Sequence, residues 1–418
     1  MMEENEEQET PNTLEKDEVL QLIISQLQYY ELDNAASVIA ESTNITPAYS
    51  ASSRLAELLY LGTKAETINE DIHPSAADEE DAEEDEDRCL NIEPDSNTKI
   101  ASRVAPNYST LYTTSHKASC RVAVYSQDGK YIATGSADTS LKVLDVAKMN
   151  MRTDEERPVI RTLYDHASTV TDISWHPGGL ALASASEDKS IKIYDLQKPS
   201  VKRSFRYLQD SYPVRSICFH PSGDFILAGS DHPAVRIYDV KSFQCYIPPN
   251  PNDYHRARIN QVNYAPQGNI FVTCSDDGSI KIYDGVSGQC VNTIEQAHGG
   301  ASVSSVKFSR NSKYLLSNGK DSIGRLWDMS SGKVIQKYEG ALQMKTSCNI
   351  TFTYNEDFVL SSDETNNTIV CWDSRTGSLL QRWTGPTGVV HCIAASPTES
   401  GFVTCSDDNK ARYWNIEI

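Results

Sequence analysis

Histidine and aspartate recur along this chain at a repeated separation. His116, His166 and His255 stand 22 residues ahead of Asp138, Asp188 and Asp277, and His298 stands 23 ahead of Asp321. An imidazole held beside a carboxylate is the pairing used for proton transfer and for metal ligation. A catalytic centre needs one such constellation, whereas copies spread along a chain argue for a structural task performed once per repeat. We therefore read His116, Asp138, His166, Asp188, His255, Asp277, His298 and Asp321, joined by Asp408 and Trp327, as a buried hydrogen-bond network that satisfies polar groups within each repeat. Three repeats carry Asp210, Met344 and Pro386 where the histidine should stand, and two carry His232 and Asn366 in place of the aspartate. Weaker turns are expected in the repeats of Asp210 and Met344.

A second set occupies one shared position of the same repeats: Arg121, Thr171, Arg215, Asn260, Ser304, Asn349 and His391. All seven are polar, and the residue before each is apolar: Cys120, Val170, Val214, Ile259, Val303, Cys348 and Val390. Alternation along a strand turns one of each pair into packing and the other towards a channel. Two readings stay open, a merely solvated channel or a polar mouth whose two arginines receive an acidic or C-terminal peptide segment. Motifs for phosphate binding, serine nucleophiles and zinc proteases are missing, as is any Cys/His cluster with ligand spacing. No enzyme activity, metal or cofactor is expected. The 10 cysteines are scattered singly and read as reduced core residues.

The elements that must hold these residues repeat with them. Segments ending "LKVLD", "IKIYD", "VRIYD", "IKIYD", "GRLWD", "IVCWD" and "ARYWN" close at 145, 195, 239, 284, 328, 373 and 415. Within the second repeat, "STVTDISWHP", "LALASAS" and "IKIYDL" read as three strands, with a tight turn at Glu187-Asp188 and a fourth strand in "SVKRSFRY". Steps of 42 to 50 residues and this grammar resemble WD-repeat proteins, whose repeat forms a four-stranded blade. The fold expected is an all-β, seven-bladed propeller over 106–418. After Asn415 too few residues remain for a fourth strand, so 107–114, "NYSTLYTT", is expected to supply the outer strand of the last blade and close the ring. The basic run "KPSVKRSFR", 198–206, is placed on an outer strand, where cations guard an exposed edge; direct RNA contact is left as the open alternative.

The start of the chain is different in kind. Residues 1–100 carry 26 acidic and 5 basic side chains, and 101–418 carry 32 and 33, so the net charge of −20 belongs to one end. Residues 1–13 are expected to be disordered, and 71–105, with "DEEDAEEDED" at 78–87, to be an acidic disordered linker. Between them, 14–70 reads as three short helices. Leu20, Ile23, Ile24, Leu27 and Tyr30 recur at helical spacing in the first, and Leu55, Leu58 and Leu59 lie in the third. So few residues bury little surface alone, which argues for a homodimerisation module. The helical pair resembles the LisH dimerisation motif. The acidic start has no apolar run for a secretory signal and no 20-residue apolar span, so a nuclear or cytosolic location is expected.

Words in both parts narrow the resemblance. "LIISQLQYYELDNAASVIAES" and "LLYLGTKAE", then "TSHKASCRVAVYSQDGKYIATGSAD", "PVIRTLYDH", "FHPSGDFILAGS", "HPAVRIYDV" and "CWDSRTG", are similar to the WD-repeat subunits of cleavage stimulation factor. That resemblance implies a nuclear, non-enzymatic scaffold acting at pre-mRNA 3′ ends, homodimeric through its N-terminal helices. Its implied partners are the complex's helical-repeat subunit and the C-terminal tail of RNA polymerase II, with RNA recognition left to another subunit. The alternative from another class is a LisH-type WD-repeat adaptor of a ubiquitin ligase or a cytoskeletal regulator.

Overall fold

The computed structural model describes residues 103–151, 157–197, 202–346 and 348–416, together with Gln21, Leu27, Ala36, Ala40, Thr43 and Leu90. The chain divides into two compact units, Met1–Asp87 and Arg88–Ile418. In the first, Gln21, Leu27, Ala36, Ala40 and Thr43 are helical and Ala36 is buried. Leu27 is half-buried; Leu20, Ile23, Ile24, Tyr30, Leu55, Leu58 and Leu59 lie outside the described residues, as do 1–13 and the acidic run.

The second unit is a ring of seven antiparallel four-stranded sheets. The innermost strands are Cys120–Tyr125, Val170–Trp175, Val214–Phe219, Ile259–Tyr264, Val303–Phe308, Thr351–Phe352 and Val390–Ala395. Strand position in the sheet sets the sequence pattern. The second and third strands of a blade are covered on both faces by neighbouring blades, and they read as unbroken runs: Leu182, Ala183, Ala185, Ile191 and Ile193 are all at most 1 % exposed. Outer strands face water on one side, as in Val159–Tyr164, where Ile160 and Tyr164 are exposed and Leu163 is buried. In six of the seven blades the tight turn between second and third strands holds one left-handed residue. Glycine fills it once, Gly278 at φ 79°; Thr139, Lys189, Ser322 and Asn409 adopt it at φ 66–68°. The longest step between repeats is accounted for by a helix, Val146–Met151, inserted before the outer strand of blade one.

Ring closure uses the first strand of the unit. Tyr108–Ser115 pairs antiparallel with Lys410–Ile416, Tyr108 opposite Ile416 and Ser115 opposite Lys410. Tyr108 sets its ring edge-on to Trp383 and Phe402 at 5.2 and 4.9 Å, and Phe402 stacks on Trp414.

Two placements add to the sequence reading. The second unit takes in Leu90, ahead of 106, which is 2 % exposed and packs with Tyr314, Leu316 and Phe352. Its N–H donates to Glu356 at 2.9 Å and its carbonyl accepts from Asn311 at 2.9 Å, while Arg103 pairs with Asp357. Of the basic run, Arg206 opens the outer strand of blade two, Arg206–Gln209, while Lys202 and Arg203 precede it and 198–201 lie outside the described residues. Backbone pairing there begins only where the chain leaves a turn anchored by Ser204, whose N–H and hydroxyl both bind Asp165. Arg206 instead lies over the ring of Phe243 at 4.7 Å.

A polar channel mouth and the network beneath it

In the histidine blades, each imidazole lies between a hydroxyl and a turn carboxylate. His166 Nδ1 meets Asp188 at 2.8 Å and Nε2 meets Ser184 at 2.6 Å; His255 meets Asp277 at 3.1 Å and Thr273 at 2.7 Å. His116 contacts Ser140 and Thr134 at 3.0 and 2.9 Å, with Asp138 a further step away at 3.6 Å. Each aspartate also accepts the N–H that follows the histidine, from Lys117, Ala167 and Arg256, so one carboxylate ties the blade's entry to its central turn. In blade five the chain is longest: His298 contacts Asp321 at 2.8 Å and Ser317 at 2.9 Å, and the Trp327 indole N–H donates to the same hydroxyl at 2.8 Å.

Burial opposes ionisation of these aspartates, but hydrogen bonds and the adjacent imidazoles outweigh it and hold Asp188 and Asp277 well below the usual carboxylate range. In blade seven the guanidinium of Arg412 takes the histidine's part: Asp408 receives Arg412 at 2.6 Å and the Thr387 N–H at 3.0 Å, and is likewise depressed.

Blades three and six keep their turns by other chemistry. Asp210, standing where histidine was expected, accepts from the Tyr238 hydroxyl at 2.7 Å and pairs with Arg236. In blade six Gln343 donates to Ser361 at 2.7 Å, and Glu364 accepts the N–H groups of Met344 and Thr346 at 2.9 and 3.1 Å. In blade six a substitute acceptor, Glu364, thus stands within two residues of Asn366, and in blade three Asp210 takes the histidine's place in the network.

Arg121, Thr171, Arg215, Asn260, Ser304, Asn349 and His391 all line one cavity of about 510 Å³ at the end of the central channel. Simple alternation is not what turns them there. In six blades the register with the second strand slips at this residue, between Cys120 and Val122, Val170 and Asp172, Val214 and Ser216, and correspondingly in blades four, five and seven. The mouth residue is the unpaired residue of a β-bulge, which re-aims its side chain. The preceding apolar residues are all at most 1 % exposed.

Most of these side chains are already engaged. Thr171 donates to Val214 O at 2.7 Å, Asn260 to Val303 O at 2.8 Å, and Asn349 to Ile393 O at 2.7 Å, each a bond to the next blade. Arg215 forks onto Asp231 at 2.8 and 3.1 Å and reaches Glu187 at 3.4 Å. Arg258, which the sequence reading missed, pairs with Asp276 at 2.6 Å. Glu187, Asp231, Asp276 and Asp407 all directly precede the blade's central turn residue, a periodic signal that could have marked them. Among the described residues, Arg121 alone of these three arginines has no carboxylate in ion-pair contact; it is exposed and touches the His391 ring at 3.1 Å. His391 in turn meets Asp407 at 2.7 Å, and burial, with Arg121 nearby, pushes its pKa down despite that carboxylate. Deeper in, Asp172 accepts the N–H groups of Ile173 and Ile217 at 2.8 and 2.9 Å, yet burial dominates and raises its pKa to about 6.

Among the described residues no group of three or more His, Cys, Asp or Glu could hold a metal ion, and no helix is long and apolar enough to cross a membrane. Seven bladed sheets tied by these networks define the WD-repeat propellers, and the family model "WD domain, G-beta repeat" matches residues 108–145, 157–195, 203–239, 253–284, 288–328 and 377–415. Cleavage stimulation factor subunit 50 of Arabidopsis thaliana is 38% identical over 412 residues, 95% of each chain, and the chain belongs to that family. COMPASS component SWD3 of Saccharomyces cerevisiae is 28% identical over 68% of this chain and 79% of its own. The solved β-propeller domain of Cps50 (Swd1) from Myceliophteria thermophila superposes with a TM-score of 0.64 at 18% identity, over 74% of this chain and 100% of that domain, a likeness of fold.

Proposed function

We propose that this chain is a non-enzymatic scaffold subunit of a cleavage stimulation factor, acting in the nucleus in pre-mRNA 3′-end cleavage and polyadenylation. The observation that carries this is the 38% identity to subunit 50 across 95% of both chains, which includes the N-terminal unit as well as the propeller. Residues 14–70 form the homodimerisation module, through Leu20, Ile23, Ile24, Leu27, Tyr30, Leu55, Leu58 and Leu59. The propeller holds the complex's helical-repeat subunit. Its polar mouth receives an acidic peptide segment at Arg121, which among the described residues makes no ion-pair contact with a carboxylate; the C-terminal tail of RNA polymerase II is a further partner.

The test is affinity capture from nuclear extract with full-length protein and with residues 88–418, the whole of the second unit. Both forms should recover the 3′-end cleavage subunits, and only the full-length form should also recover a differently tagged copy of itself. Recovery of ubiquitin-ligase or cytoskeletal components in place of cleavage subunits would overturn the reading.

A further inference from the structure

The seam where blade one meets blade seven contains three thiols. Cys120 opens the innermost strand of blade one, and its Sγ lies 3.0 Å from the Sγ of Cys405 in the second strand of blade seven. Cys392 stands directly opposite Cys405 in register and points its Sγ to Ala123 O at 3.5 Å, again across the seam. Cys120 and Cys405 are both fully buried; Cys392 is 8 % exposed and lines the central channel. All three are free thiols.

We propose that Cys120 and Cys405 are an oxidisable pair that forms a reversible disulfide stapling the first blade to the last. The sulfurs are poised within about 1 Å of bonding separation, on strands that neighbouring blades already hold in place. Burial alone would raise the Cys120 pKa, but the Cys405 thiol and His116 outweigh it and bring it down to about 6. Cys120 is therefore the attacking sulfur and Cys405, whose pKa is pushed up by burial, the resolving one.

The oxidant is a hydroperoxide. The Cys120 thiolate attacks one peroxide oxygen; the S–O bond forms, the O–O bond breaks, and hydroxide leaves to take a proton as water. Cys405 then attacks the sulfenic sulfur, the S–S bond forms, and the second oxygen departs as water with the thiol proton. Two thiols lose two electrons and one hydrogen peroxide is reduced to two waters. A dithiol reductant reverses the step by exchange.

The experiment treats folded full-length protein with hydrogen peroxide, blocks free thiols by alkylation, and maps digested peptides by mass spectrometry. Exposed Cys245 serves as an internal gauge of oxidant dose. A peptide joining Cys120 to Cys405 is expected, with a rise in melting temperature of roughly 5 °C that dithiothreitol reverses. Cys405→Ser should abolish both signals, and Cys392→Ser should leave the link intact. The proposal fails if Cys245 is oxidised with no Cys120–Cys405 peptide, if the link forms only after denaturation, or if Cys392 joins Cys405 instead.

Discussion

Two kinds of aspartate in this protein respond to pH in opposite directions. Asp188, Asp277 and Asp408 are depressed by their hydrogen bonds and cationic or imidazole partners. Their stabilisation is present above the unfolded carboxylate pKa and is lost as pH falls through the folded values. Asp172 is raised to about 6, so its protonated form is the favoured one in the fold; that stability is full below the unfolded pKa and is lost as pH rises through 6. Asp172→Asn keeps an acceptor for the Ile217 N–H, gives up the one for the Ile173 N–H and removes the buried charge. It should stabilise the propeller by about 1–2 kcal/mol at pH 7.5, after discounting for channel water, with the gain vanishing near pH 4. Melting temperatures across that range check it, and a gain that persisted at pH 4 would refute the assignment to charge. Ser317→Ala tests the network differently, because it strands both His298 and the Trp327 indole; we expect a loss of ~1–3 kcal/mol in denaturant unfolding.

Among the elements, the closing strand has the most at stake. Removing residues 88–115 leaves Lys410–Ile416 as an open edge and takes Tyr108 from between Trp383 and Phe402. Such a truncation should melt far below the parent or aggregate, whereas Tyr108→Ala alone should cost about 2–4 kcal/mol. Leu90 makes a smaller clasp: Leu90→Ala should hasten proteolysis between Arg88 and Arg103 about tenfold, with little change in the main melting transition. The number of blades was legible because each third strand ends in a recurring aromatic or leucine followed by Asp or Asn. The mouth was legible as a column of seven polar residues, yet its mechanism was not. A β-bulge depends on strand pairing, and the commitment of Arg215 to Asp231 and Glu187 depends on how two blades approach. Leu90 left no periodic trace at all: one leucine after an acidic run carries no strand signal, and its slot is assembled from Asn311, Tyr314 and Glu356 far along the chain.

For the molecule as a whole, the division into two units sets what dimerisation can do. A propeller that already satisfies most of its mouth by bonds to neighbouring blades has few free groups for a partner, so each single contact is expected to be weak. Two propellers joined through residues 14–70 would convert the second contact into an intramolecular one, at an effective concentration set by the chain between the units. The full-length protein should then hold a surface bearing many copies of its partner ~10²-fold more tightly than residues 88–418 do, while both bind a single partner copy in solution with the same affinity. Surface plasmon resonance at high and low partner density, beside calorimetry in solution, separates the two. Equal retention of both forms at high density would mean that the N-terminal unit adds no avidity. A weaker solution affinity for residues 88–418 would instead place partner contacts within residues 1–87.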